Sequence, residues 1–334
     1  ELNGDLELDL PEGGPQGRVR LDAGRGTLRV REGGEWVDFP YQALQFDSQL
    51  RPEQVDVQAR FDGGELGELR LDARIDPRGE EKPLSGTFAL RGLNLAVARP
   101  FVPQVEQLEG QINGNGQLAG TLQAPQVNGQ LRLSEGRVAG GDLPTPLENL
   151  QILGTLSGQR LDLDGGWRSG ERGQGRIAGW LSWQGTPSAD IRVSGTRLPV
   201  VVPPYAELEV APDLRIQLAE RGLSLSGRIA VPRGDITIRE LPPSTVKVSP
   251  DVVIVGEEAA DAGQAMPIRM DITVVVGQEE LNFSGFGLTA DVAGDIHIGN
   301  QLDTRGELAL TRGRYRAYGQ RLTIRRARLL FVGP

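Results

Sequence analysis

The sequence predicts an all-β protein: an elongated, incompletely closed, folded-over sheet with a continuous apolar groove. The first observation is that aliphatic and polar residues alternate along nearly the whole chain, as at residues 6–10, 161–163, 214–218 and 268–276. Successive side chains of a strand point to opposite faces, so this period predicts one apolar and one polar face. The second observation is that 46 Gly and 22 Pro suit many short strands joined by turns.

Blocks of about five to eight alternating residues, bounded by Gly, Pro, Asn or Asp, give the predicted strands in order. They are 2–10, 17–22, 42–50, 53–61, 66–75, 85–97, 110–121, 126–134, 150–157, 159–166, 174–183, 189–197, 206–218, 222–231, 234–239, 251–255, 267–276, 280–286, 288–298, 302–310, 313–318, 321–325 and 327–332. Residues 97–108 form the best helix candidate, which Pro100 and Pro103 limit to a turn or two. Residues 256–266 are acidic, small and without alternation, so we expect a mobile loop there. Because no helices separate the strands, a parallel βαβ fold is excluded.

A sheet with one apolar face must shield that face from water, and the composition of the chain indicates how it does so. About 20–25 strands at ~4.8 Å spacing would make a sheet ~100–120 Å long. Such a sheet either closes into a β-helix with a packed core or folds over incompletely and leaves a groove. Aromatic residues make up only 5% of the chain, and slim aliphatic side chains leave space between the walls. We therefore expect one elongated grooved region over residues 1–334, while a parallel β-helix portion stays open as an alternative.

Composition excludes several functional classes. The formal net charge of −9 argues against nucleic-acid binding, which needs a positive surface. The absence of cysteine excludes disulfides, thiolate zinc sites and a cysteine nucleophile. No stretch approaches the roughly 20 apolar residues needed to span a bilayer. Since the chain begins at Glu1 rather than Met, we interpret it as a piece of a longer protein from which any targeting segment is absent.

The motifs that suggest chemistry all have a simpler structural interpretation. Residues 114–119 match a dinucleotide-binding pattern, but they lie inside an alternating run with no helix to follow. His297 is the sole histidine and belongs to a polar strand face, so it cannot build a histidine metal site. Asp162, Asp164 and the pair 279–280 suggest a glycosidase or polysaccharide-binding β-helix only weakly, because no polar cleft with paired carboxylates is evident. We predict no enzyme activity, no cofactor and no metal.

An arginine cluster near the C-terminus stands out in a chain that is acidic overall. Its members are Arg312, Arg314, Arg316, Arg321, Arg325, Arg326 and Arg328, with no acidic residue between them. Such a strand face could bind an anionic partner or phospholipid headgroups. It could equally protect a sheet edge against aggregation by its charge. The sequence leaves both interpretations open.

The C-terminal third contains three distinctive stretches. They are residues 228–242 (RIAVPRGDITIRELP), 249–256 (SPDVVIVG) and 307–334, the last with its Gly-x-Tyr-x-x-Tyr-Gly-Gln core at 313–320 and its closing Leu-Phe-x-Gly-Pro. In these stretches the chain resembles the TamB family. The match is strongest over residues 220–334 and rests on pattern alone before that. Ala327 stands where the family often has Gly, and the chain stops before the final strands of the family.

The resemblance implies a fold and a function. TamB-like proteins belong with the AsmA-like bridge-like lipid transfer proteins of the Gram-negative envelope. An N-terminal anchor, absent from this fragment, holds them in the inner membrane, and the body crosses the periplasm as a β-taco. Its apolar groove is thought to conduct phospholipid toward the outer membrane. The C-terminal end works with the barrel protein TamA, which links the family to outer-membrane protein assembly.

From these observations we predict a groove that conducts lipid acyl chains. The predicted lining is Leu131, Leu133, Leu161, Leu163, Ile191, Val193, Leu214, Ile216, Leu218, Leu223, Leu225, Ile236, Ile238, Ile268, Met270, Ile272, Val274, Val276, Leu281 and Phe283. The alternative function is a docking module whose C-terminal strands pair with an outer-membrane barrel without conducting lipid. The predicted partner or headgroup contacts are the seven arginines named above together with Tyr315 and Tyr318. Self-association through open sheet edges is also expected.

Overall fold

The computed structural model of the chain describes residues 2–9, 16–32, 35–102, 105–140, 143–238, 267–317 and 320–333. Over these ranges the regular structure is β-strand apart from three 3-10 segments, Gly64–Leu66, Leu95–Phe101 and Asn300–Leu302. The predicted all-β class is therefore confirmed. The structure divides into two compact units, Glu1–Val193 and Ser194–Pro334.

Unit 1, Glu1–Val193, is an antiparallel meander in which most strands pair with the next along the chain. Its strands are β1 (Leu2–Asp9), β2 (Gln16–Ala23), β3 (Gly26–Glu32), β4 (Glu35–Tyr41), β5 (Ala43–Arg51), β6 (Gln54–Asp62), β7 (Glu68–Ile75), β8 (Leu84–Asn94), β9 (Gln107–Gly120), β10 (Pro125–Ala139), β11 (Leu147–Ser157), β12 (Arg160–Ser169) and β13 (Gly173–Ser182), and β14 (Ser188–Thr196) contains the unit boundary. β2 pairs directly with β5, while β3 and β4 form a separate two-stranded hairpin. Among the described residues no pairing joins β1 to β13, so the sheet of this unit is open.

Unit 2, Ser194–Pro334, has longer strands and a mixed sheet. Its strands are β15 (Leu198–Val202), β16 (Ala206–Ala219), β17 (Gly222–Ile238), β18 (Ile268–Gly285), β19 (Leu288–Ile298), β20 (Thr304–Ala317), β21 (Gln320–Ile324) and β22 (Ala327–Val332). The pairings run from β15 through β20 in chain order, and β20 then pairs with both β21 and β22. Within the described ranges nothing pairs β15 with β22, so this sheet is open as well.

One pair of neighbouring strands, β17 and β18, is parallel, with Leu223 opposite Ile268 and Ile238 opposite Gly285. A parallel pair needs a long crossover connection, because the chain must return to the starting end of the first strand. That connection is residues 239–266, which lie outside the described residues. The mobile loop predicted at 256–266 and the strand predicted at 251–255 fall there too.

The helix expected over residues 97–108 differs from what the structure contains. A 3-10 segment spans Leu95–Phe101, and β9 already begins at Gln107. Asn94 starts the segment, since its side-chain oxygen accepts a hydrogen bond from the backbone N–H of Ala96 at 2.9 Å. Pro100 lacks a backbone N–H, so it cannot extend an α-helical ladder, and the segment stays short.

Fully buried apolar side chains are concentrated in two places. In unit 1 most of them lie at one end of the strands, where β2, β6 and β12 finish and β9 and β11 begin. We call this the packed rim, formed by Ala23, Phe39, Leu66, Leu108, Leu150 and Trp167. In unit 2 five of them, Val231, Leu281, Ala290, Val292 and Leu310, form a cluster, and Leu198 and Ile272 are buried outside it. The rest of the apolar face in both units is mainly half-buried.

The unit 2 cluster predicts a clear stability effect. Leu281 is 2% exposed and lies within this cluster, so Leu281→Ala should lower the free energy of unfolding by about 2–5 kcal/mol. Leu302 is 68% exposed, and Leu302→Ala should change it by less than about 0.5 kcal/mol. Urea unfolding followed by circular dichroism measures both values. Equal midpoints for the two variants would contradict the assignment of the core.

Candidate functional site

The strand register of unit 1 brings apolar residues into rows that cross the sheet. Residues directly opposite each other in an antiparallel pair share a face. One row is Ala23, Leu44, Phe61, Leu69, Leu90, Gly114, Leu131, Gly154, Leu163 and Gly179. Its neighbour, two residues along each strand, is Leu21, Phe46, Ala59, Leu71, Phe88, Gly116, Gly129, Leu156, Leu161 and Leu181. We call this surface the apolar face of unit 1.

Glycines in these rows are covered by the large side chains beside them. A Cβ atom placed on Gly116 would lie 2.5 Å from Cε1 of Phe88, and one placed on Gly114 would lie 2.5 Å from Cδ2 of Leu131. The glycines thus make room for neighbouring rings and methyl groups, which fill the space that a side chain would occupy. The result is a level apolar surface that stays half-buried at Phe88 and Leu131.

The opposite face of unit 1 is polar, and many of its charged side chains form ion pairs. Arg74 lies 3.2 Å from Asp56, and Arg176 lies 3.0 Å from Asp164. Hydrogen bonds from the Arg78 side chain and backbone hold the pKa of Asp76 down at about 2. These exposed pairs add little to the free energy of folding. They make this face charged and hydrated, in contrast with the apolar face.

The residues considered for catalysis belong to this same kind of polar surface. Asp162 lies 2.7 Å from Arg160, whose guanidinium stacks 4.6 Å from the ring centre of Trp180. His297 lies 3.7 Å from Asp271 on an exposed strand face. Glu279 forms an ion pair with Arg233. In the part of the chain that the structure describes, no group of three His, Asp or Glu side chains is placed to hold a metal ion.

In unit 2 the register again gathers alternating aliphatic residues on one face. Three of its rows are Ile216 with Leu225 and Met270, Leu214 with Gly227, Ile272 and Ile298, and Pro212 with Ile229, Val274 and Ile296. We call this surface the apolar face of unit 2. The predicted lining residues between 214 and 283 lie on it, but at different depths. Ile268 is 60% exposed, whereas Ile272 and Leu281 are 7% and 2% exposed and are buried by their neighbours.

The predicted lining residues of unit 1 also share a face. Leu131, Leu133, Leu161 and Leu163 lie on the apolar face of unit 1, and Ile191 and Val193 are half-buried on β14. The sequence analysis did not include the same face of β5 to β9, whose members are Phe46, Phe61, Leu69, Leu71, Phe88, Leu90 and Leu118. Their alternation was visible in the sequence and would have identified them.

The arginine cluster lies on the last three strands. Arg312 forms an ion pair with Asp291, and Arg328 lies 3.1 Å from Glu307. The other members, Arg314, Arg316, Arg321, Arg325 and Arg326, are exposed and make no ion pair within the described ranges. Tyr315 is half-buried between Leu288 and Leu322 in the register. Tyr318 lies outside the described residues.

The strand edge formed by β21 and β22 combines these charges with exposed apolar side chains. Both strands pair with β20 on one side. Leu329, Leu330, Phe331 and Val332 are 50%, 67%, 37% and 81% exposed. Four consecutive exposed apolar residues on an edge strand are unusual, because such an edge readily pairs with another strand. The arginines precede this stretch and do not interrupt it.

These features define a class: open, mainly antiparallel β-sheets with one continuous apolar face, one ion-paired face and no cluster of metal ligands among the described residues. Comparison with known families is consistent with that class. The family model for the TamB C-terminal domain matches residues 164–334, and the model for the TamB N-terminal domain matches residues 1–133. The chain belongs to the TamB family, and the match extends well beyond the 220–334 region that the sequence motifs indicated.

A curated relative supports the assignment. The chain is 25% identical over 285 residues to the translocation and assembly module subunit TamB of Haemophilus influenzae, which covers 80% of this chain and 22% of the relative. The chain therefore spans about a fifth of the length of that protein. No solved structure matches the chain. Among the described residues, no helix has the length and apolar character needed to cross a membrane.

Proposed function

We propose that this chain is part of a periplasmic bridge that conducts phospholipid acyl chains from the inner to the outer membrane. The observation that supports it is the uninterrupted register of half-buried apolar residues, which gives each unit an accessible apolar face. Acyl chains need such a face, while headgroups can remain in water beside the ion-paired side. Each methylene removed from water contributes about 0.8 kcal/mol, so a sixteen-carbon chain gains on the order of 10 kcal/mol.

Movement along the sheet requires that no position holds the acyl chain much more tightly than the next. Leu, Val and Ile supply nearly equivalent contacts. Side chains such as that of Phe88 fill the space above glycines such as Gly116, which makes the surface even. The half-buried members of the predicted lining are the proposed contacts. Ile272 and Leu281 contribute through packing beneath them. We further propose, in line with the family resemblance, that the full-length protein lies in the Gram-negative periplasm, with an inner-membrane anchor outside this chain and with TamA as its outer-membrane partner.

A charge on the apolar face should block lipid binding, and β10 offers a matched pair of positions. Leu131 is half-buried on the apolar face of unit 1, and its neighbour Gln130 is exposed on the opposite face. Leu131→Arg should reduce the phospholipid recovered with the purified protein by about tenfold, because the guanidinium resists desolvation by acyl chains. Mass spectrometry of extracted lipid gives the amount. Ile216→Arg tests the apolar face of unit 2 in the same way.

Gln130→Arg serves as the control, since it adds the same charge to the same strand without touching the apolar face. It should retain lipid at the level of the unmodified chain. Circular dichroism confirms that each variant is folded. Full lipid occupancy in Leu131→Arg and Ile216→Arg would refute the conduction proposal.

A second candidate function is docking to an outer-membrane barrel such as TamA by strand addition. The exposed apolar stretch on β22 favours it, because an added strand would pair with its free backbone groups and cover its side chains. The unpaired arginines nearby would then contact acidic groups of the partner. This function and conduction are compatible, since they use different parts of the chain.

Charges placed on the β22 edge test docking without removing any strand. Leu330→Lys and Val332→Lys change residues that are 67% and 81% exposed, so folding should be unaffected. Both should weaken binding to purified TamA by about tenfold or more, measured by biolayer interferometry, while leaving bound lipid unchanged. Leu122→Lys alters a 47% exposed residue in the turn between β9 and β10 of unit 1 and should bind normally. If the edge variants bind TamA like the control, docking uses another surface.

A further inference from the structure

Two buried polar atoms in the packed rim have no hydrogen-bond partner. They are Nε1 of Trp167 and Oγ1 of Thr145, and within the described ranges they are the unsatisfied side-chain atoms of this kind. Both residues are 8% exposed. A buried donor without an acceptor costs about 1–3 kcal/mol, and most buried polar groups in proteins are paired. Such a donor calls for an acceptor, which either an ordered water or a bound ligand supplies.

The two atoms belong to the same part of the fold. Trp167 lies near the end of β12 and is opposite Gly175, on the apolar face that also includes Leu163. Thr145 lies in the connection between β10 and β11. Ser169, two residues beyond Trp167, donates a hydrogen bond from its hydroxyl to the carbonyl of Pro146, which follows Thr145. This bond holds the connection against the end of β12.

The surroundings of these donors restrict the chemistry of the acceptor. The register places the buried Leu150 near Trp167, and the edge of the Trp167 ring occupies the space that a Cβ atom of Gly175 would take. The charged neighbours Glu148 and Arg168 are opposite each other in the register, on the other face of the sheet. A phosphate would lose its hydration there without a cation to replace it, which is very costly. A neutral acceptor is therefore required.

We propose that the Trp167 indole and the Thr145 hydroxyl donate hydrogen bonds to an ester carbonyl of a phospholipid whose acyl chains lie on the apolar face of unit 1. This inference rests on the proposed function and names the part of the lipid that this region recognises. The ester carbonyl is neutral and is joined directly to the acyl chain, so it enters an apolar rim where a headgroup cannot. The remainder of the face provides no comparable donor pair among the described residues. This position therefore fixes where the ester end of the lipid lies on the face.

Ester and ether lipids distinguish the proposal from simple apolar binding. A diester phosphatidylglycerol and its diether analogue have the same chains and headgroup, but the ether lacks carbonyl oxygens. The purified chain should bind the diester about tenfold more tightly than the diether in a competition experiment, as two hydrogen bonds to buried donors predict. The ratio should fall to about threefold in Trp167→Phe and in Thr145→Val, each of which keeps one donor, and to about one in the double variant.

Trp180→Phe is the matched control, because Trp180 lies on the next strand, opposite Asp162 and on the polar face. It should keep the preference for the diester. Thr145→Val preserves side-chain shape and removes a donor that lacks a partner in the lipid-free protein, so the free energy of unfolding should not decrease. Trp167→Phe also loses packing, and only its lipid ratio is informative.

Each result decides between distinct explanations. Equal binding of diester and diether by the unmodified chain contradicts the carbonyl assignment alone. A destabilised Thr145→Val that keeps the diester preference shows that the donors hold a structural water instead. Failure of the unmodified chain to bind either lipid contradicts the proposed function, and this inference with it.

Discussion

The structure depends on strand register. A shift of one residue between two strands would move every aliphatic side chain of one strand to the polar face, because the side-chain period is two. The chain absorbs irregularities without such an inversion. The bulge between Val231 and Arg233 in β17 faces the longer one between Val276 and Glu280 in β18, and Leu281 returns to the apolar side opposite Gly234. Since the apolar rows survive each irregularity, the apolar face of each unit is continuous.

Much of this was predictable from alternation alone, and the exceptions have physical causes. The run at residues 268–276 predicted one face of β18, and the rows confirm that those residues share a face. The β3–β4 hairpin was not predicted, although Gly33 and Gly34 between two apolar runs are a hairpin signal. Within the described residues its two strands pair with each other alone, so the alternation of the neighbouring strands did not indicate them. The parallel pairing of β17 with β18 was not predictable, because alternation is identical in parallel and antiparallel strands.

The extent to which each residue of the apolar face is buried could also not be predicted from the sequence. Ile268 and Leu281 both alternate with polar neighbours, yet one is 60% exposed and the other 2%. Ile268 lies at the start of its strand, whereas Leu281 follows a bulge and packs among Val231, Val292 and Leu310. Burial therefore depends on where bulges and strand ends bring side chains from different strands together, and these long-range contacts leave no local signature. The same holds for Trp167, whose unpaired indole nitrogen is evident only once Gly175 is placed beneath its ring.

Under the proposed function, stability and lipid binding depend on different residues of one surface. A fully packed apolar face would be stable but would leave no surface for an acyl chain, and a fully open one would bury too little to fold. In unit 1 the packed rim removes Leu66, Leu108 and Leu150 from water, while the middle of the same face stays half-buried. The packed rim can therefore hold specific contacts, such as a pair of fixed hydrogen-bond donors, that would hinder lipid movement in the middle of the face. A surface on which lipid must move needs its specific contacts at the margin, where they orient the ester end without interrupting the apolar rows.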